Sequence, residues 1–265
     1  TGRETFLLPV TWQDGWPVIL EAGKVIPYVA PAPAFLHKNS DVPPTTGNFT
    51  WRDDFDSAEL DPAWLTARVP SEPWLDLRRR KGSLSLTPLP LSLATLDNPA
   101  FLARRQQHIR FEASTSLEVP EPGIAAGMAA FQSEAYWYFF GARSVDDGLQ
   151  LFLEKSTGGK VETVAAATVE AGRSLRFRIG GDGRRYSFWY GAGGSGWKPF
   201  RLGDDGSILS TEVAGGFVGA VVGVHARVEQ GGRRGAQHAS PATRSEVSQQ
   251  PSGLSAGEHR VTTGE

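Results

Sequence analysis

Ser174-Leu175-Arg176-Phe177-Arg178-Ile179-Gly180-Gly181-Asp182-Gly183-Arg184-Arg185-Tyr186-Ser187-Phe188-Trp189-Tyr190 reads as two short strands joined by a turn. Leu175, Phe177 and Ile179 alternate with Ser174, Arg176 and Arg178. A period of two puts the apolar side chains on one face, the pattern of a half-buried strand. The same alternation returns in Tyr186, Phe188 and Tyr190 after the turn Gly181-Asp182-Gly183.

Outward from this pair the pattern repeats. Ile109, Phe111, Ala113, Thr115 and Leu117 alternate with polar neighbours, and so do Leu149, Leu151 and Leu153. Pro122-Gly123, Asp147-Gly148, Gly158-Gly159 and Asp205-Gly206 supply turns between them. Convincing helical stretches are missing. Many short strands with regular turns predict an all-β chain folded as a two-sheet sandwich. Length and strand count favour a concanavalin A-like jelly roll over an immunoglobulin domain.

The chain divides into four stretches. Residues 1–20 read as a hairpin, with strands at Thr5 to Val10 and Trp16 to Leu20 around Gln13-Asp14-Gly15. Two strands alone cannot hide a face, so the hairpin belongs to something larger. Residues 21–49, with Pro27, Pro31, Pro33, Pro43 and Pro44, read as a stiff linker, in which Tyr28, Phe35 and Leu36 want cover. Residues 50–228 are the sandwich. Residues 229–265 lack aromatic residues and are rich in Gly, Ser, Gln and Arg, so the tail is expected to be disordered.

Composition excludes some functions and leaves others open. A net charge of −2 gives no pull toward nucleic acid or membrane, and no apolar run approaches the ~18 residues of a membrane span. Zero cysteines exclude disulfides and thiolate sites. That fits the cytosol without excluding secretion; the compartment stays open, with secretion slightly favoured. The chain starts at Thr1 and its one methionine is Met128, which reads as a fragment or a truncated gene product.

Few residues suggest independent chemistry. Asp53, Asp54 and Asp56 could ligate calcium, which takes several hard oxygens, but the cluster lacks a loop signature and reads better as an acidic strand start. No cofactor is expected. In Tyr136-Trp137-Tyr138-Phe139-Phe140 one alternating set must be core, and the other lines an outer sheet face or a domain interface. His108, after Arg104, Arg105, Gln106 and Gln107, has no nucleophile or carboxylate constellation around it. That segment reads as structural, with the basic pair bridging outward. Trp189 and Trp197 read as hairpin packing. P-loop, dinucleotide, zinc and nucleophile-elbow patterns are absent.

Four segments, in order, resemble glycoside hydrolase family 43 enzymes of the β-xylosidase and α-arabinofuranosidase type. Gly2-Arg3-Glu4-Thr5 with Pro9-Val10-Thr11-Trp12-Gln13-Asp14-Gly15-Trp16-Pro17 resembles the last blade of their five-bladed catalytic propeller. Trp51-Arg52-Asp53-Asp54-Phe55-Asp56, with Leu60-Asp61-Pro62 and Trp64, resembles the opening of their C-terminal sandwich. Pro99-Ala100-Phe101-Leu102-Ala103-Arg104-Arg105-Gln106-Gln107-His108 and Gly215-Gly216-Phe217-Val218-Gly219-Ala220-Val221-Val222-Gly223 resemble its middle and its end. Together they span roughly residues 1–228.

The resemblance implies a remnant propeller hairpin followed by the sandwich, an accessory domain that shapes the propeller's pocket. The family's substrates are xylo-oligosaccharides or arabinoxylan side chains, hydrolysed with inversion by carboxylates ~6.5–9.5 Å apart. Those carboxylates lie in earlier blades, so this chain alone is expected to be inactive. Arg3 matches the arginine that reaches substrate hydroxyls, against an exposed strand arginine as the plain alternative. Phe217 matches a phenylalanine that closes the pocket rim, against a core phenylalanine. The rival readings are a stand-alone lectin-like carbohydrate-binding module and a non-functional gene product. One departure stands out: after Val224-His225-Ala226-Arg227-Val228 the family's final strand looks lost. Its loss would open a sheet edge and predicts marginal stability and aggregation.

Overall fold

The computed structural model describes residues 7–27, 49–146, 148–170, 172–229 and, for the backbone alone, 242–249. The chain divides into two compact units, residues 3–44 and the remainder.

In the first unit, β1 (Thr11–Gln13) pairs antiparallel with β2 (Trp16–Val18). Asp14 and Gly15 turn the chain with φ of 51° and 82°. Positive φ at both positions belongs to the two-residue hairpin turn whose twist matches the strands, which is why Asp-Gly is favoured there. Of the expected first strand, Thr5 and Phe6 lie outside the described residues, Leu7 to Val10 are not in a strand, and the pairing is three residues long from Thr11. Among the described residues no third strand joins the pair. Trp12 and Trp16 are 71 % and 76 % exposed.

The second unit is the sandwich. Its strands are β3 (Phe49–Asp53), β4 (Leu65–Thr66), β5 (Leu75–Asp76), β6 (Ser85–Leu86), β7 (Phe101–Arg105), β8 (Arg110–Glu118) and β9 (Ile124–Ser133). There follow β10 (Tyr136–Val145), β11 (Gly148–Thr157), β12 (Lys160–Val169), β13 (Ser174–Asp182), β14 (Arg185–Ala192) and β15 (Lys198–Asp205). A single 3₁₀ turn (Gly206–Leu209) and the short helix α1 (Thr211–Ala214) lead into β16 (Val221–Val228), and β17 (Ala242–Gln249) comes last. One sheet has seven strands in the order β12-β11-β10-β9-β16-β7-β4 and the other has six, β15-β14-β13-β8-β17-β3. The pairings within both are antiparallel. This is the all-β, concanavalin A-like sandwich that the alternation predicts.

The β13–β14 pair sets the pattern for the core. Phe177 faces Tyr190, Ile179 faces Phe188 and Gly181 faces Tyr186 across the ladder. The turn is Gly183-Arg184, one residue later than the Gly181-Asp182-Gly183 reading. Gly181 serves packing instead: a Cβ there would lie 2.4 Å from the Phe111 ring. From the opposite sheet, Phe140 meets Phe177 edge-on at 4.9 Å and Phe200 in a stack at 4.9 Å, and Tyr138 meets Phe188 at 5.5 Å. Each such ring contributes about 1.5–3 kcal/mol by burial. Ile109, read with this face, lies before β8 and is exposed.

Both sets of the Tyr136–Phe140 run are used. Tyr138 and Phe140 belong to the core between the sheets. Trp137 and Phe139 join Phe101, Phe152 and Leu93 in a second buried cluster. Alternation places that cluster on the outer face of the seven-stranded sheet, where Ala125 and Ala129 are the small neighbours. The Trp137 indole N–H donates to the Glu134 carbonyl at 3.0 Å.

Two expectations are corrected here. The tail is not structureless over Ala242–Gln249: β17 pairs with β8 on one side and β3 on the other. A strand does follow β16, and it fills the place between β8 and β3. Composition counts side chains, whereas this segment gains backbone hydrogen bonds along both flanks, which satisfy its N–H and C=O groups. Of the basic pair read as bridging outward, Arg105 is exposed but Arg104 is buried. Its guanidinium lies 4.0 Å over the Trp51 ring, and burial holds its pKa below the ordinary arginine value.

Close strand approach yields a first prediction. Gly127 of β9 sits beside Gly141 of β10. A Cβ at 127 would fall 2.1 Å from the Phe140 carbonyl oxygen and 2.6 Å from the Gly141 Cα. Backbone atoms cannot swing aside, so Gly127→Ala is expected to cost about 1–3 kcal/mol through strand displacement. Urea unfolding checks it, and an unchanged midpoint would show that the two strands separate freely.

Candidate functional site

Phe217 lies in neither core. The segment after α1 turns through Gly215 and Gly216, both with positive φ (74° and 73°), and β16 starts only at Val221. Phe217 is 72 % exposed and Val218 is 50 % exposed. The plain alternative, a core phenylalanine, is thereby excluded. Beyond the loop, Ala220, Val222 and Val224 enter the core between the sheets.

The exposed loop is held from beneath. Gln132, on β9 and 5 % exposed, donates through Nε2 to the carbonyls of Gly215 (3.0 Å) and Val218 (3.4 Å). Upstream, the Ser210 hydroxyl caps α1 by accepting from the Val213 N–H. An amide buried in the sheet thus grips both sides of Phe217 and fixes where the ring is presented. Sequence reasoning passed over Gln132, and its only signal was one polar residue between Phe131 and Ser133 near the end of an apolar strand.

Arg3 lies outside the described residues. Asp53 spends one carboxylate oxygen on the Phe55 N–H (2.8 Å) and the other on the Trp64 indole N–H (2.7 Å), while Asp54 pairs with Arg52. Among the described residues no group of three or more His, Asp or Glu side chains is placed to hold a metal ion. Nor is any helix there long and apolar enough to cross a membrane.

A second polar cluster has no counterpart in the sequence reading. On the outer face of the seven-stranded sheet, Arg227 of β16 makes a two-pronged contact with Glu154 of β11, both bonds at 2.7 Å. Its Nε donates to Glu229 at 3.0 Å, and Glu229 also accepts from Arg143. The Arg227 guanidinium lies 5.2 Å over Phe139. Burial pulls its pKa down, but the two carboxylates outweigh that and hold it above the ordinary value.

With this geometry in hand, comparison with known proteins is decisive. The family of β-xylosidase C-terminal concanavalin A-like domains matches residues 52–239. The chain belongs to this family. A glycoside hydrolase of family 43 retrieved from a capybara gut metagenome is 30% identical with a TM-score of 0.76, over 86% of this chain and 44% of that one. A xylan β-1,4-xylosidase from Bacillus halodurans shares the fold at a TM-score of 0.79, with 22% identity over 93% of this chain and 47% of that one. A non-reducing end α-L-arabinofuranosidase of Bacteroides ovatus is 29% identical over 85% of this chain and 41% of its own length. The chain spans less than half the length of the curated relatives it matches. It corresponds to the C-terminal part of family 43 enzymes.

Proposed function

We propose that this chain is the accessory C-terminal part of a glycoside hydrolase acting on xylosyl or arabinofuranosyl linkages of hemicellulose. Its sandwich shapes the pocket of a propeller that carries the catalytic carboxylates, and residues 1–20 are the last piece of that propeller. The observation that carries the reading is Phe217, an aromatic ring exposed on a loop that a buried amide clamps in place. A ring held at a pocket rim excludes water and limits the length of bound chain. Arg3 adds fixed donors suited to a vicinal diol. The hairpin supports the same reading: a two-stranded hairpin is marginal alone, and its two exposed tryptophans suit cover by neighbouring blades. The named activity of the Bacteroides relative supports the substrate class.

The test uses an enzyme carrying both propeller and sandwich. Phe217→Ala is expected to lower kcat/KM on xylobiose or an aryl arabinofuranoside about tenfold, about 1.4 kcal/mol of transition-state stabilisation, chiefly through KM. The melting temperature should hold, because the ring is outside both cores. The chain alone is expected to show no turnover. An unchanged kcat/KM removes the rim role, and turnover by the chain alone removes the accessory reading.

A further inference from the structure

The outer face of the seven-stranded sheet is covered over only part of its area. Beside the second core cluster, Pro90, Leu91 and Ser92 stand away from β11, β12 and the end of β16 and leave a concavity of about 400 Å³. Trp137, Val161 and Val228 complete its apolar lining. Its polar lining is Glu154, Arg227 and Glu229, members of the ion network described above. The volume falls at the low end of small-molecule sites, roughly 300–1,000 Å³.

The chemistry of the lining narrows the ligand. Glu154 is only 8 % exposed, yet it borders the concavity. Each of its oxygens takes one guanidinium bond at 2.7 Å, and a carboxylate oxygen can accept more than one. Glu229 likewise keeps acceptor capacity beside its two arginines. The lining carries two glutamates and one arginine, and Arg143, outside the lining, pairs with Glu229 and balances the second carboxylate, so the network as a whole does not select an ion. What it offers is a set of acceptors, with guanidinium donors between them, locked in position by mutual pairing before any ligand arrives. Ligand groups that donate and accept at once, on a neutral frame with C–H faces for Leu91, Trp137 and Val161, match it. Buried ion pairs contribute little net stability over apolar residues of the same size, so fastening the sheet does not by itself account for a network at a cavity wall.

We propose that this concavity binds a short neutral saccharide. The site goes beyond the rim role of Phe217: Val228 and the Gly215–Ala220 loop lie at opposite ends of β16, roughly 23 Å apart along a strand. Only the choice of a pentose probe rests on the reading above; the hydroxyl chemistry does not.

Xylobiose and cellobiose are titrated calorimetrically into the chain. Saturable binding in the millimolar range is expected. Val161 is exposed on the edge strand β12, so Val161→Trp can plug the mouth without disturbing the core. It is expected to weaken binding at least tenfold, while Val161→Ala, which trims one apolar wall and leaves the mouth open, weakens it by less than about threefold and Phe217→Ala binds as the unaltered chain does. Ser92→Trp plugs the opposite wall and serves if the first variant fails to fold, as judged by near-ultraviolet circular dichroism. Binding of cellobiose without xylobiose keeps the site and removes the pentose reading. No saturable binding of either disaccharide, full affinity in a folded tryptophan variant, or loss of binding in Phe217→Ala would overturn the proposal.

Discussion

Replacing Arg227 by alanine is expected to lower the unfolding free energy by about 3–5 kcal/mol, the range found when one partner of a buried ion pair is removed. The Arg227 and Glu154 side chains are 13 % and 11 % exposed. Without the guanidinium, the Glu154 carboxylate loses both of its short bonds and sits desolvated in a face lined by Phe139 and Phe152. Glu229 fares better, because Arg143 still pairs with it at 3.0 Å. The pair itself is not the source of the stability. A double replacement, Arg227→Met with Glu154→Leu, removes both charges, conserves most of the volume and is expected to fall within about 1 kcal/mol of the unaltered chain. Urea unfolding of the three proteins at one pH decides the matter. A loss below about 1 kcal/mol in Arg227→Ala would mean that water reaches Glu154 freely, and the account of a preorganised lining would fail with it.

The fold was legible because its strands are half-buried and each face declares itself in a period of two. Leu175, Phe177 and Ile179 all point inward, and so do Leu149, Leu151 and Leu153. Legibility fails where that premise fails. In Tyr136–Phe140 both faces are buried, so alternation told which residues share a face but not that a second core exists. Turn positions slipped by a residue where glycine served packing, as at Gly181. The Ala242–Gln249 strand was misread because an interior position in a sheet can be held by two ladders of backbone hydrogen bonds, which leave no mark on composition. Exposure at Ile109 shows the complementary error, one residue of apolar pattern carried past the end of β8.

The candidate site was legible only as far as resemblance carried it. The Gly215–Gly223 motif named Phe217, and the exposed loop then gave the ring a place that a motif alone could not. Gln132, which fixes that loop, is more than eighty residues away in sequence from the carbonyls it holds. The charged network joins Arg143, Glu154, Arg227 and Glu229 from three strands and the residue after one of them. Each sits in or just after the polar closing stretch of a strand that opens apolar, Glu154 beside Lys155 and Arg227 two residues before Glu229, a weak signal taken one at a time. Non-local polar partners become visible only when the sheet order β11-β10-β9-β16 is known.

Acid is expected to destabilise this domain through His225 as the pH falls below the ordinary imidazole value. The side chain is 1 % exposed, with the Phe139 ring 4.8 Å and the Phe101 ring 6.2 Å away. Nδ1 lies 3.0 Å from the Ala100 carbonyl and donates to it, while Nε2 is buried with no partner among the described residues. Burial, aided by the Arg227 charge and opposed by the Ala100 bond, pushes the imidazole down to about 3. The unfolded chain takes up its proton near the ordinary value of 6.5. Between those values the unfolded state therefore holds more protons, and stability falls as the pH falls, by about 1.4 kcal/mol per pH unit. Across the whole interval the loss reaches about 4–5 kcal/mol, and above 6.5 this group contributes no slope. His225→Phe isolates the effect: it keeps a ring in the cluster and cannot titrate, and the Ala100 carbonyl keeps the Ala226 N–H as a donor. Unfolding free energies of both proteins, measured from pH 7.5 down to about pH 4, should diverge steadily below 6.5. Parallel curves would mean that the imidazole charges inside the folded sheet, and the packing around Nε2 would have to be more open than these rings allow.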